Sequence, residues 1–145
     1  MNEPDAPTRS SPTIPPLRLF LVEDSALLRE LLIDSFSLIS GIAIAGYADS
    51  EDEALNQLHA APCDIVIVDI QLRQGNGITL LRKLIAQPNK PKPICIVLSN
   101  NVSTAYRRII EQIDRCFFFD KTTEFSQLHQ LLVRLGEGVD ARTLL

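Results

Sequence analysis

A chain of 145 residues, 46% of them hydrophobic and 22% charged, has the size of one ordinary domain built on one core. Nine prolines, six glycines and three cysteines exclude collagen-like and disulfide-stapled classes. Fourteen basic against eighteen acidic residues leave a net charge of −4, a field that disfavours nucleic acid and anionic lipid, so neither a nucleic-acid nor a membrane partner is expected.

Met1 to Pro16 is rich in Pro, Ser and Thr and carries Glu3 and Asp5 in place of a basic then apolar signal sequence. It reads as a disordered leader over residues 1–16, and the protein is expected in the cytoplasm. Apolar runs such as Ile65 to Val68 fall far short of the roughly 20 residues of a membrane span. Cys63, Cys95 and Cys116 lack metal-binding spacing and sit in or beside apolar runs, as reduced structural thiols do.

The folded part is expected over residues 17–136, followed by a short tail over 137–145. Leu17 to Val22 is a buried-strand run ended by Glu23 and Asp24. Leu28, Leu31, Leu32, Phe36 and Ile39 then recur at helical spacing, and Gly41 is a stop signal. Ile42 to Ala48 is strand-like, and Ser50 with Glu53 has capping-box form ahead of a helix reaching Ala60. Asp64 to Asp69 is filled with β-branched residues without polar alternation, the pattern of a strand covered on both faces. A loop from Gln71 to Asn76 leads through Gly77 to a helix with Ile78, Leu81, Leu84 and Ile85 on one face. Pro93 to Leu98 is a fourth strand, Val102 to Ile113 a helix with Ala105, Ile109 and Ile113 inward, and Arg115 to Phe119 a fifth strand. A last helix carries Phe125, Leu128, Leu131, Leu132 and Leu135 and ends at Gly136 and Gly138. Strict alternation predicts an α/β fold: a five-stranded parallel sheet with helices on both faces.

In such a sheet ligands bind beyond the carboxyl ends of the strands, where the strand order reverses. Those ends hold Glu23 and Asp24, then Asp69, then Ser99, then Asp120 and Lys121. Carboxylates gathered in one crevice repel one another unless a cation sits among them, and an all-oxygen set without His or Cys favours a hard ion such as Mg²⁺. A lysine and a hydroxyl opposite suit phosphoryl oxygens. Asp69, between metal and lysine, is then a plausible phosphoryl acceptor.

These residues resemble the response-regulator receiver domains of two-component signalling. The resemblance rests on Glu23 and Asp24, Asp69, Gly77, Ser99 and the run Phe117 to Lys121, with separations of 45 from Asp24 to Asp69, 30 to Ser99 and 22 to Lys121. It implies the flavodoxin-like (βα)5 receiver fold. Asp69 would be the phosphorylated aspartate and, with Asp24 and the backbone carbonyl of Gln71, a Mg²⁺ ligand, with Glu23 acting through water. Lys121 would pair with the phosphoryl oxygens, and Ser99 and Phe118 would form the switch. Three positions depart from the family pattern: Asn100 after the hydroxyl, Arg73 where proline is common, and Thr122 after the lysine. Asn100, Asn101 and Ser103 are better placed than Ser99 to cap the following helix, which frees Ser99 for the site.

The expected function is a single-domain response regulator, not an enzyme on external substrates. It would take a phosphoryl group from a histidine kinase or histidine phosphotransfer protein onto Asp69, then bind a downstream protein in trans. The output face would be the fourth helix, fifth strand and fifth helix, with Tyr106, Arg107 and Arg108 as partner contacts. One alternative is a receiver-fold docking module that is never phosphorylated. Another, an aspartyl-phosphate phosphatase, needs an acid–base carboxylate two residues after its nucleophile, where this chain has Gln71.

Overall fold

The computed structural model describes residues 14–88, 90–100 and 104–144. The leader up to Thr13, the helix start at Val102 and the caps at Asn101 and Ser103 lie outside the described residues. The elements are β1 (Leu17–Val22), α1 (Ala26–Ser37), β2 (Ile42–Ala48), α2 (Glu51–Ala60), β3 (Ile65–Val68), α3 (Gly77–Ile85), β4 (Ile94–Ser99), α4 (Thr104–Glu111), β5 (Cys116–Asp120) and α5 (Phe125–Gly136), then a 3₁₀ turn over Ala141–Leu144. All strand pairs are parallel, in the order β2-β1-β3-β4-β5.

Successive strand residues point to opposite faces, so each strand feeds two cores. Leu19, Leu21, Ile65, Ile67, Ile94, Ile96, Leu98 and Phe117 pack with α1 and α5. Phe20, Val22, Val66, Val68, Cys95, Val97, Cys116 and Phe118 pack with α2, α3 and α4. This is why β3 and β4 read as unbroken apolar runs. On the first side Phe36 is fully buried and stacks on Phe125 with ring centroids 5.9 Å apart.

Local chemistry sets the helix starts. Ser25 Oγ accepts from Leu28 N–H at 3.3 Å to open α1, and Asn76 Oδ1 accepts from Ile78 and Thr79 N–H at 2.7 and 3.3 Å to open α3. Ser50 Oγ accepts from Glu53 N–H at 3.2 Å, while the Glu53 carboxylate returns to Asp49 N–H at 3.3 Å, one residue earlier than a capping box would have it. Gly41 adopts φ +84°, and a Cβ there would lie 2.2 Å from the Gly136 carbonyl oxygen, so it serves close backbone approach to α5 as well as helix termination.

Three expectations are corrected. Leu31 is 57% exposed, because α1 turns Leu32 and Phe36 inward and leaves Leu31 on the opposite flank. In α4 the buried residue is Ile110, whereas Ile109 is 46% exposed and Ala105 is exposed. Two adjacent isoleucines lie about 100° apart on a helix, and only the docked orientation decides which faces the sheet. Arg107, one of the three expected partner contacts, is half-buried, whereas Tyr106 and Arg108 beside it are exposed. Beyond α5, Ala141 is buried and Leu144 packs against the α1–α5 core, so the 3₁₀ turn folds back onto the domain. All three cysteines are free, with Cys95 and Cys116 buried and opposite each other on β4 and β5.

Candidate functional site

β1 and β3 are neighbours, and the order turns from β2 on one side of β1 to β3 on the other. This is the reversal that opens a crevice above strand ends. Val22 pairs with Val68, so the residues that follow, Glu23 and Asp69, leave the sheet at the same level. Their backbones are anchored: Glu23 N–H donates to Ala48 O at 3.0 Å and Asp69 N–H to Val22 O at 3.1 Å.

Glu23 and Asp69 are buried, at 2% and 8% exposure, and Asp24 is half-buried. Each of the three offers a carboxylate oxygen, and these oxygens lie within 4.8 Å of one another. Lys121, from beyond β5, bridges two of them, with Nζ 2.8 Å from Asp69 Oδ2 and 2.9 Å from Glu23 Oε1. Burial pushes the Glu23 carboxyl above its ordinary value despite the opposing Lys121 hydrogen bond. For Lys121 burial pulls the other way, but the hydrogen bonds to Asp69 and Glu23 win and raise the ammonium above its ordinary value. Three carboxylates against one ammonium leave two negative charges uncompensated. A hard divalent cation fits that deficit and that all-oxygen donor set.

Ser99 is buried at the end of β4, opposite Asp120, and its carbonyl accepts Lys121 N–H at 3.1 Å. Gln71 is exposed and its N–H donates to Asp69 Oδ1 at 3.2 Å. Asp120, also counted among the rim charges, is occupied otherwise: its Oδ1 accepts from Thr122 and Thr123 N–H at 2.6 and 3.1 Å, building the turn into α5. Phe118 is buried at 3% exposure. Arg73 pairs with Asp49, the residue that follows β2.

Sequence reasoning missed three residues that support the site. Arg29 Nη1 donates to Glu23 O at 2.8 Å while its guanidinium lies 4.7 Å from the Tyr47 ring centroid, holding the acidic loop against β2. Glu51, 6% exposed, accepts Asn76 N–H at 3.0 Å and Lys83 Nζ at 2.7 Å, so α2 straps the 71–76 loop. The Lys83 hydrogen bond holds the Glu51 carboxyl below its ordinary value. Glu124 accepts Asp120 N–H at 2.9 Å and pairs with Arg107. A carboxylate at a helix start is a legible signal for Glu124; pairings across 17 to 32 residues leave no local pattern.

Similarity to known proteins agrees with this geometry. The chain is 34% identical over 90 residues to protein-glutamate methylesterase/protein-glutamine glutaminase 5 of Anaeromyxobacter dehalogenans, covering 62% of this chain and 24% of that protein. It is 32% identical over 87 residues to the DNA-binding transcriptional activator DevR/DosR of Mycobacterium tuberculosis, covering 60% and 39%. The chain thus spans about a quarter to two-fifths of the length of these curated relatives. Among solved structures, the response regulatory domain of protein mrkE from Klebsiella pneumoniae superposes with a TM-score of 0.71 at 19% identity, covering 84% of this chain and 97% of that one. RcsB from Salmonella enterica serovar Typhimurium, bound to a promoter in the presence of the phosphomimetic BeF3-, gives 0.69 at 19% identity, covering 83% and 70%. DNA-bound response regulators among the fold neighbours do not fit the expectation, drawn from net charge, of no nucleic-acid partner. No helix among the described residues is long and apolar enough to cross a membrane. The model of the response regulator receiver domain family matches residues 19–133, and the chain belongs to that family, the phosphoacceptor domains of two-component signalling.

Proposed function

We propose that Asp69 is the phosphoacceptor, that Lys121 and Ser99 receive the phosphoryl oxygens, and that Phe118 relays the change to a protein-docking face made of α4, β5 and α5. The observation that carries this reading is the double engagement of Lys121 with Asp69 and Glu23 at 2.8 and 2.9 Å. It puts a cation beside Asp69, the carboxylate that follows β3 at the middle of the sheet. In the transfer a carboxylate oxygen of Asp69 forms a bond to phosphorus as the P–N bond of a donor phosphohistidine breaks, its electron pair staying on the imidazole. Lys121 then exchanges part of its carboxylate contact for phosphoryl oxygens, and Ser99 supplies a hydroxyl donor. The Asp69 main chain is held by β1, which fixes the attacking group in place.

Asp24, Asp69 and the Gln71 carbonyl would hold Mg²⁺ directly, with Glu23 through water. When bound, the ion supplies neutralising charge for the phosphoryl oxygens. Donors are histidine kinases or histidine phosphotransfer proteins, and output is by phosphorylation-dependent docking of a protein in trans from a cytoplasmic receiver over residues 17–136. Against a phosphatase stands Gln71, exposed and lacking a titratable group.

The test is labelling by acetyl phosphate with Mg²⁺. Wild type is expected to form an acid-stable, base-labile acyl phosphate and Asp69→Asn none, while Lys121→Ala and Ser99→Ala still label but respond weakly in conformation. Equal labelling of Asp69→Asn and wild type overturns the assignment.

A further inference from the structure

Glu51 opens α2, yet its carboxylate faces the loop that leaves β3 and the helix beyond it. Oε1 accepts the N–H of Asn76 at 3.0 Å, and Oε2 accepts Lys83 Nζ of α3 at 2.7 Å. The Glu51 main chain joins in, its N–H donating to Gln74 O at 3.0 Å. Gly75, at φ +88°, lets the loop pass directly over this side chain: a Cβ there would lie 2.3 Å from Glu51 Cβ and 2.6 Å from Oε1. Two further tethers join the same stretches, Asp52 with Gln74 and Asp49 with Arg73. Both are exposed, where competing water leaves such contacts worth little. Glu51 is 6% exposed, so the side-chain hold of α2 on the loop rests mainly on one buried carboxylate.

The other end of the loop lies at the crevice. Gln71 faces Asn76 across an antiparallel bridge, and its N–H donates to Asp69 Oδ1 at 3.2 Å. Asn76, held by Glu51, is thus the residue against which the Gln71 peptide is set. A main-chain carbonyl is an uncharged ligand, and Mg²⁺ demands near-ideal octahedral geometry, so such a carbonyl contributes only while its peptide is held in one orientation. A loop that spends part of its time in other orientations weakens the apparent affinity by the fraction that remains competent. We propose that Glu51 is a positioning residue for the Mg²⁺ site, one that holds Asn76 and through it fixes the Gln71 peptide beside Asp69, and so sets the affinity for the ion without touching it. This rests on the reading of the Gln71 carbonyl as a metal ligand. Among the described residues the clustered carboxylates are Glu23, Asp24 and Asp69, and the charge of Glu51 is matched by Lys83. Position, rather than field, is what Glu51 supplies.

The experiment titrates Mg²⁺ into the metal-free full chain, following the backbone amide resonances of Asp24, Asp69 and Gln71, with Asp24→Ala marking loss of the site. Glu51→Ala is expected to raise the midpoint several-fold, and Glu51→Gln, which keeps one acceptor oxygen, to fall between it and wild type. The two variants remove the same charge, so equal shifts would mean that the carboxylate acts through its field and would overturn the proposal, as would a midpoint unchanged in both. Leu58→Ala empties a buried position of the same helix and should leave the midpoint in place; a shift as large as that of Glu51→Ala would reduce the effect to loosened packing and overturn the proposal. A second measurement needs no metal. Hydrogen exchange of the Gln71 amide in the metal-free chain should be several-fold faster in Glu51→Ala than in wild type, and equal rates overturn the hold on the loop. If wild type shows no response to Mg²⁺, the metal reading itself fails, and the exchange rates still decide whether Glu51 fixes the Gln71 peptide.

Discussion

Gly77→Ala joins the fold and the site in one perturbation. Gly77 is the first residue of α3 and donates its N–H to Ile70 O at 2.9 Å. An added Cβ would lie 2.1 Å from the Asp69 carbonyl oxygen, 2.8 Å from the Asp69 carbonyl carbon and 2.9 Å from Ile70 Cα. All three are backbone atoms, so no side chain can swing aside. Reaching the 3.4 Å of ordinary contact means parting α3 from the β3 end by about 1.3 Å, although α3 also buries Leu80, Leu81 and Leu84. Overpacking of this kind costs about 1–3 kcal/mol, and immovable opposing atoms put it at the upper end. Alanine recovers at most about 1 kcal/mol of helix propensity, so the expected net loss is about 2 kcal/mol. That is a large share of the ~5–15 kcal/mol of a typical domain. The chain has no tryptophan, so urea unfolding is followed by far-ultraviolet circular dichroism, alongside the acetyl phosphate labelling rate. Labelling should slow as well, because the displaced peptide carries Asp69. An unfolding free energy within about 0.5 kcal/mol of wild type, the spread of ordinary surface changes, together with unchanged labelling, would refute the reasoning.

Phe36→Ala removes a fully buried ring stacked on Phe125 and should cost about 3–5 kcal/mol in urea unfolding; a loss under 1 kcal/mol would mean the α1–α5 core collapses around the gap. Lys121→Ala leaves Glu23 and Asp69 buried without their shared cation and should destabilise by about 3 kcal/mol without metal. Millimolar Mg²⁺ should raise its melting temperature more than that of wild type, and equal shifts would count against the acidic residues as the metal site. The Arg107 hydrogen bond holds the Glu124 carboxyl below its ordinary value. The pair's contribution is therefore present above the unfolded pKa of about 4.3 and is lost as pH falls through the lower folded value. With the Glu124 side chain 28% exposed, wild type should exceed Glu124→Gln by about 0.5–1 kcal/mol at pH 7. The gap should close below about pH 4, and a gap unchanged at pH 3 would break the assignment.

The sequence by itself determined the ten alternating elements and the rim on which Glu23, Asp24, Asp69, Ser99 and Lys121 meet. Both follow from short-range causes. Doubly buried strands demand unbroken β-branched runs, amphipathic helices repeat every 3.6 residues, and each polar group stands directly after its strand, so a correct element order carries it to the crevice. The spans of β1 and β2 were legible for the same reason, whereas the expected ends of β3, β4 and β5 differ by one residue from those observed. Only the tertiary structure decided that Ile110 rather than Ile109 faces the sheet, that Leu31 stays outside, and that Ala141 returns to the core. It also showed that Asp120 caps a turn, and that Arg29, Glu51 and the Arg107–Glu124 pair brace the site. Those outcomes depend on how whole helices rotate and dock, and on partners tens of residues apart. Residues of one helix differ by about 100° per step, and charge pairs form wherever docking brings them within reach, so neither leaves a periodic trace in the chain.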